Sequence, residues 1–212
     1  MTIQSFRSDQ ARAIFEGRGP GKGFPSDLIR ATKRKLEMLE ATPTLEALRL
    51  PPNNRLEALK GDLADRHSIR VNDQFRLVFR WLPGGPAEVD FVDYHGSEPA
   101  PSGAQEDRMS AKAATDPLGP VHPGEMLAEE FLKPLGLSAG AAAARMGVPR
   151  TRIERLLGRT TRMTPDTALR LERLLGMPAE FWLNLQLRYD LLTARAALPV
   201  SIRNIERLEP AR

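Results

Sequence analysis

Two rhythms run along the chain. Up to about residue 42, and again from about residue 121, apolar residues recur at helical spacing; between residues 55 and 94 they alternate one by one. In the first stretch, residues 3–6 predict a short strand. Ser8 or Asp9 then caps a helix over 10–16, with Ala13 and Ile14 inward. Ser26 caps a second helix from Asp27 to about Glu40, whose buried stripe is Ile29, Thr32, Leu36 and Leu39. Lys33, Arg34 and Lys35 point largely away from that stripe. A solvated face explains them as well as RNA binding does.

The alternating region predicts strands over 55–59, 68–71, 75–81 and 88–94, with turns at Asn72-Asp73 and at 83–86. Period two puts Phe75, Leu77, Phe79 and Trp81 on one face and Arg76 and Arg80 on the other. On the preceding strand Ile69 and Val71 share a face, and Arg70 opposes them. If the hairpin closes at Asn72-Asp73, the sheet has an apolar side for two helices and a side that carries arginines. The expected architecture is α+β, two helices on an antiparallel sheet.

Residues 96–116, GSEPAPSGAQEDRMSAKAATD, lack aromatic and branched aliphatic side chains. Such a segment buries too little apolar area to offset its ordering entropy, so it predicts a flexible linker. Met109 within it fits an internal start or the scar of a fusion, and equally a plain linker methionine. The chain is therefore expected to be multi-domain: 1–95, a linker over 96–116, and an all-α domain over 117–212.

In that second domain residues 138–158, SAGAAAARMGVPRTRIERLLG, predict two short helices meeting at a corner. Ser138 caps the first, Gly147 supplies the left-handed bend, and Pro149 suits the start of the second. Ala143, Gly147 and Ile153 then act as small contact, bend and apolar anchor, which is helix-turn-helix spacing. The second helix carries Arg150, Thr151, Arg152 and Arg155. Guanidiniums suit both phosphates and guanine edges. Arg145, Arg159, Thr160 and Arg162 flank it and are placed to meet phosphates. An ordinary helical hairpin with a solvated arginine face has the same pattern. Thr164 caps a further helix with a stripe of Ala168, Leu171, Leu174 and Leu175; Phe181, Trp182, Leu185 and Tyr189 make the next one.

Composition narrows the field. The net charge is +4, there is no cysteine, and the three histidines are far apart. Disulfides and thiolate zinc sites are excluded, and no metal or other cofactor is expected. No apolar run reaches the roughly 20 residues that span a bilayer, and the first residues have no signal core. No membrane contact is expected, and a cytoplasmic location is the default.

The runs NNRLEALKGD, HSIRVNDQFRLVFRW and EVDFVDYH resemble HigB-type toxins of the RelE-like superfamily, over nearly all of residues 1–95. VHPGEMLAEEFLKPLGLS, the helix-turn-helix, MTPDTALRLERLLG and EFWLNLQLRYDL resemble the partner antitoxin family, HigA, from about Val121 to Leu192. The chain thus looks like a toxin and its antitoxin joined toxin first.

The resemblance implies a metal-independent endoribonuclease acting on mRNA at the ribosome, and an antitoxin that dimerises on a palindromic operator and represses its own operon. It implies a toxin–antitoxin contact within the chain. The cleavage needs a base for the ribose 2′-OH, a cation at the phosphate and an acid for the leaving 5′-oxygen. By resemblance, Lys60 and Arg76 contact the scissile phosphate, and Asp93, Tyr94 and His95 match the terminal Asp-Tyr-His. His95 is the candidate for proton transfer and Tyr94 for stacking. Arg70 and Arg80 are further RNA-binding candidates by strand parity. Three residues before Lys60, where relatives have a histidine, this chain has Glu57, and residues 63–66 replace an Arg-x-Gly-x turn. Ala139 stands where many helix-turn-helix proteins have a phosphate-binding glutamine. A repressor whose toxin half is catalytically inactive is the competing reading.

Overall fold

The computed structural model describes residues 2–94, 118–206 and 208. His95 and the linker lie outside the described residues. The first half has helices α1 (Asp9–Phe15) and α2 (Ile29–Ala41) and a four-stranded antiparallel sheet in the order β1 (Glu57–Ala58), β2 (Arg66–Arg70), β3 (Phe75–Leu82), β4 (Gly85–Asp93). The second half is helical among its described residues: α3 (Pro123–Leu127), running on through a π-turn over Ala128–Leu132, then α4 (Ala139–Met146), α5 (Arg150–Leu157), α6 (Pro165–Leu175), α7 (Ala179–Ala196) and α8 (Val200–Arg203). No described helix is long and apolar enough to cross a membrane.

Local chemistry explains most of these elements. Ser8 caps α1 by accepting from the Ala11 N–H at 3.2 Å, and Thr164 caps α6 through the Thr167 N–H. Asn72 closes the β2–β3 hairpin by accepting from the N–H groups of Gln74 and Phe75 at 3.0 and 2.7 Å. The pairing of β2 with β3 is regular, Arg66 opposite Arg80 through to Arg70 opposite Arg76. Between β3 and β4 the register slips between Val78 and Arg80, and Glu88 across from it has φ of 50°. This is a bulge, which raises local twist. Leu77, Phe79, Ile69 and Val89 are fully buried, on the face that meets α1 and α2.

Several expectations need correction. Residues 3–6 form no strand of their own. They lie alongside β4 through Gln4 N–H to Pro86 O (2.8 Å), Arg7 N–H to Val89 O (2.9 Å) and one parallel bridge, Phe6 with Val89. Ser26 makes no cap; a 3-10 turn over Ser26–Leu28 leads into α2 instead. The first strand shrinks to two residues, because Arg55 has φ of 44°, a left-handed geometry no strand accommodates. Most consequential, Lys33 and Lys35 are buried, at 0% and 3% exposure. The helical half covers that face of α2. The apolar cluster is also continuous across the chain, from Ile14, Leu36 and Phe79 to Met126, Ile153, Phe181 and Trp182. Two independent cores were expected, and the observed halves share a boundary that is itself buried.

That boundary is polar at its centre. Arg30 grips the Glu125 carboxylate through both Nε (2.7 Å) and Nη2 (2.5 Å) and donates to the Leu118 and Gly119 carbonyls. Arg34 and Lys35 reach Glu130 at 2.8 and 2.6 Å. Farther along α2, Arg188 of α7 pairs with Glu37, and Asn184 donates to the Ala41 carbonyl at 3.0 Å. Pairs this buried add little net stability over apolar packing, but mismatched partners cost several kcal/mol, so they select one register between the halves.

Candidate nucleic-acid interfaces

The first candidate surface is the arginine-bearing face of the sheet. Arg76 on β3 and Arg70 on β2 stand directly opposite each other. Like charges in that position repel, so the arrangement demands anions. The Arg76 guanidinium is fixed from beneath: Nε donates to Ser68 Oγ (2.8 Å) and Nη2 to the Arg55 carbonyl (2.5 Å). Glu57 of β1 stands 3.3 Å from Nη2, and the Tyr94 ring lies under the guanidinium carbon at 5.4 Å. Burial pushes the Arg76 pKa down, while Glu57 and Tyr94 oppose that shift. Arg70 pairs with Asp73.

The other sequence candidates fall elsewhere. Arg80 is four residues along β3, roughly 13 Å by strand rise, in a separate cluster with Asp65 (2.7 Å) and Glu88 (3.1 Å). Arg66 joins it through Glu88, whose carboxyl Arg66 and Arg80 hold below its usual range. Lys60 is exposed and follows β1 at this same end, where the Leu59 N–H meets the Arg66 carbonyl at 2.9 Å. Asp93 pairs in register with Phe75 and accepts from Gln74 Nε2 at 2.8 Å, so strand parity gives it the face opposite Arg76. The structure therefore brings Arg70, Arg76 and Tyr94 together. Glu57 belongs to this group, and sequence reasoning treated it only as a departure from the family pattern.

The second candidate surface is α5. Ser138 caps α4 by accepting from the Ala141 N–H at 3.1 Å, and Gly147 turns the chain with φ of 64°. Ala143, Ile153 and Leu156 are buried between the helices. Arg150, Thr151, Arg152 and Arg155 all face solvent, as do Arg145, Arg159, Thr160 and Arg162. Several have local partners: Arg150 with Glu154 (2.7 Å), Arg152 with Asp166 (2.5 Å) and Arg162 with Asp190 (2.5 Å). Arg159, at φ of 60°, comes within 3.3 Å of Glu125, the carboxylate that Arg30 also holds. Arg170, which sequence reasoning passed over, donates to the Met146 carbonyl at 2.7 Å and ties α6 to the end of α4. Its only sequence signal is position, four residues after Asp166.

Burial pushes the Glu125 and Glu130 carboxyls upward, but the cations around them win and hold both below the usual range. For Glu125 these are Arg30, Arg159 and Arg34; for Glu130, Lys35 and Arg34. In Glu37 burial prevails over Arg188 and the carboxyl is raised.

Comparison with known proteins agrees with the two halves. Residues 4–95 match the model of the HigB-like toxin family, the RelE-like toxin of type II toxin-antitoxin system HigB. The chain is 50% identical over 61 residues to Toxin HigB-1 of Vibrio cholerae, covering 29% of this chain and 64% of that toxin, less than two thirds of its length. It is 42% identical over 76 residues to Antitoxin HigA-1 of the same organism, covering 36% of this chain and 71% of that antitoxin. The solved structure of Pseudomonas aeruginosa antitoxin HigA with the higBA promoter is 37% identical and covers 42% of this chain and 99% of that one, at a TM-score of 0.41. Through its helical half the chain belongs to the HigA family of antitoxins, and its residues 4–95 are similar to the HigB-like toxins.

Proposed function

We propose that the chain is a toxin–antitoxin fusion. Its first half is a metal-independent endoribonuclease that cuts mRNA on the ribosome, and its second half is a DNA-binding antitoxin that represses its own operon. The observation that carries this reading is the seam along α2. Arg30, Arg34 and Lys35 of the HigB-like half meet Glu125 and Glu130 of the HigA-like half in one buried network. A toxin and its inhibitor need such a fit, and unrelated domains on a tether do not. The tether itself keeps the inhibitor at an effective concentration on the order of millimolar.

At Lys35 the seam comes close to the arginine-bearing strand: Lys35 donates to Asn54 Oδ1 at 2.7 Å, and the Asn54 carbonyl accepts from the Arg70 N–H at 2.7 Å. The helical half inhibits by keeping a large ribosomal substrate away from Arg70 and Arg76. Lys60, Asp93 and His95 complete the proposed catalytic set by family resemblance. On the antitoxin side, Arg150, Thr151, Arg152 and Arg155 read base edges in a major groove, while Arg145, Arg159, Thr160 and Arg162 hold phosphates. Leu187 and Leu191 of α7, at 59% and 45% exposure, offer apolar surface for pairing two antitoxin halves on a palindromic operator. The cytoplasm is the compartment that holds both partners, mRNA and operator.

The test compares translation inhibition by the chain before and after cutting at a protease site placed in residues 96–116, diluted so that the halves separate. Inhibition that appears on cutting and vanishes with Arg76→Ala supports the fusion reading. Equal potency before and after cutting rules out masking.

A second reading has a specific observation behind it: both sheet arginines are already paired with acids, Arg76 with Glu57 and Arg70 with Asp73. On this reading the sheet is an inactive remnant and the chain is a repressor only. It predicts no translation inhibition in any form of the protein and intact binding to the operon's upstream DNA.

A further inference from the structure

The loop between α5 and α6 carries Arg159, Thr160 and Arg162, the proposed phosphate contacts, and its backbone is held at its start, middle and end. At the start the Arg159 and Thr160 N–H groups donate to the Leu156 and Arg155 carbonyls at 3.0 and 2.9 Å. At the end the Met163 N–H donates to Gln186 Oε1 at 2.7 Å. The middle is held from α3, by the ring of His122, which is 3% exposed and hydrogen-bonds to the Thr161 backbone. The same ring has a second duty. Its Nδ1 accepts from the Gly124 N–H at 3.0 Å and so caps α3. That bond fixes the tautomer: Nδ1 is bare, the ring proton sits on Nε2, and Nε2 is the donor to the Thr161 carbonyl. The Tyr189 ring of α7 meets the imidazole edge-on, with centroids 4.7 Å apart. Burial, with Arg159 adding to it, pushes the His122 pKa down against Asp190, Thr161 and Glu125, and the neutral ring is the form that both bonds need.

We propose that His122 is a positioning residue for DNA binding: by holding the Thr161 carbonyl it sets the loop so that Arg159, Thr160 and Arg162 reach phosphates together. It touches no DNA itself. The inference rests on the DNA-binding reading above and adds to it a residue from outside the helix-turn-helix. Thr161 lies between the two arginines, whose side chains are 55% and 75% exposed and whose nearest acids, Glu125 and Asp190, belong to different helices. Without the bond from His122 the peptide at Thr161 is free to turn, and each arginine follows its own acid instead of a common line of phosphates. Contacts of this kind carry no sequence information, so their loss weakens binding to all sequences alike and flattens its salt dependence.

Asparagine and glutamine divide the two duties of the ring. The asparagine amide oxygen reaches the place of Nδ1, and the glutamine amide nitrogen reaches that of Nε2. In the full chain, His122→Asn keeps the cap and loses the Thr161 bond, and His122→Gln does the reverse. The Asn variant is expected to bind the operon's upstream DNA roughly three- to tenfold more weakly than the parent, as loss of one hydrogen bond does. Its plot of log affinity against log salt should be flatter by about one to two counterions. The Gln variant should melt a few degrees below the Asn variant, having lost the cap, and yet bind DNA within about twofold of the parent. A histidine that merely supports the fold gives the opposite order, with affinity following the melting temperatures; that result overturns the inference, as does an Asn variant that binds like the parent. The parent supplies a check of its own. Nitrogen NMR shifts of His122, assigned by the signal lost in either variant, should show the Nε2–H tautomer, and the Nδ1–H tautomer would equally overturn it. If the parent does not bind the upstream DNA at all, the DNA-binding reading fails and the inference fails with it.

Discussion

Helices α2 and α5 carry nearly the same message in sequence and meet opposite fates. Each presents three closely spaced cations, Arg30, Arg34 and Lys35 on one and Arg150, Arg152 and Arg155 on the other. On α2 they are sunk in the seam, with the Arg34 side chain at 15% exposure and Lys35 at 3%. On α5 they stand in solvent, with Arg150 at 73%. Nothing in either helix sets this difference. It is set by Glu125 and Glu130, some ninety-five residues away, which bury the α2 cations, whereas Asp166, which meets Arg152 of α5 from α6, is itself exposed. A basic helix is only half of a binding statement, and the acids that would answer it must be sought in the rest of the chain.

The sharpest way to break the contrast is to remove the answer. Glu130→Ala leaves the Lys35 ammonium buried without its carboxylate, which typically costs about 3–5 kcal/mol. At about 2–4 °C per kcal/mol for a chain of this size, the thermal midpoint should fall by roughly 6–20 °C. A fall of less than about 2 °C would mean that the α2 face is in contact with water after all.

Acid should do the same work more gradually. Glu125 and Glu130 are held below their ordinary values by the cations around them, although burial pushes the other way. They bind fewer protons folded than unfolded, so their contribution is complete above the unfolded value of about 4.3 and is lost as pH falls through the lower folded values. Each unit of depression is worth about 1.4 kcal/mol. Denaturant titrations from about pH 6 to about pH 3 should show a steeper loss for the parent than for the Glu125→Gln/Glu130→Gln variant. Parallel curves would dissolve the proposed pairing.

On α5 the expected effects move from stability to affinity. Arg155→Ala should leave the thermal midpoint within about 1 °C while weakening binding to the operon's upstream DNA roughly tenfold or more, as loss of one arginine–guanine contact does. Arg159→Ala should weaken binding to all sequences alike and flatten the salt dependence by about one counterion. The smallest effect is expected from Glu154→Gln, which frees Arg150 from its neighbour and should raise DNA affinity a few-fold. If that substitution unfolds the helix instead, the Arg150–Glu154 pair is structural and the contrast between α5 and α2 narrows.

Much of this fold can be read from short-range pattern. Ser8, Ser138, Thr164 and Gly147 do what their side chains, or the lack of one, dictate within a few residues, and the alternation over 75–81 gives the correct faces. The failures are of two kinds. Ser26 and residues 55–59 were misjudged because backbone geometry, a 3-10 turn and a left-handed Arg55, overrode propensity. A contact between the halves follows from the resemblance, but its residues are not legible locally, because they are split between helices some ninety residues apart in sequence. The site divides the same way. Arg70 and Arg76 follow from strand parity, whereas the grouping of Glu57 with them depends on β1 pairing to β2 at Ser68, a register that no local motif announces. Parity also places Asp93 away from Arg76, although the family resemblance puts both in one catalytic set.

Gly124 leaves no room for even a methyl group: a Cβ built there would lie 1.8 Å from the Leu156 carbonyl oxygen. The start of α3 is therefore pressed onto the end of α5, one residue before the carboxylate that Arg30 holds. The helix proposed to enter a DNA groove and the clasp between the two halves are thus parts of one strut, and any tilt of one must be a tilt of the other.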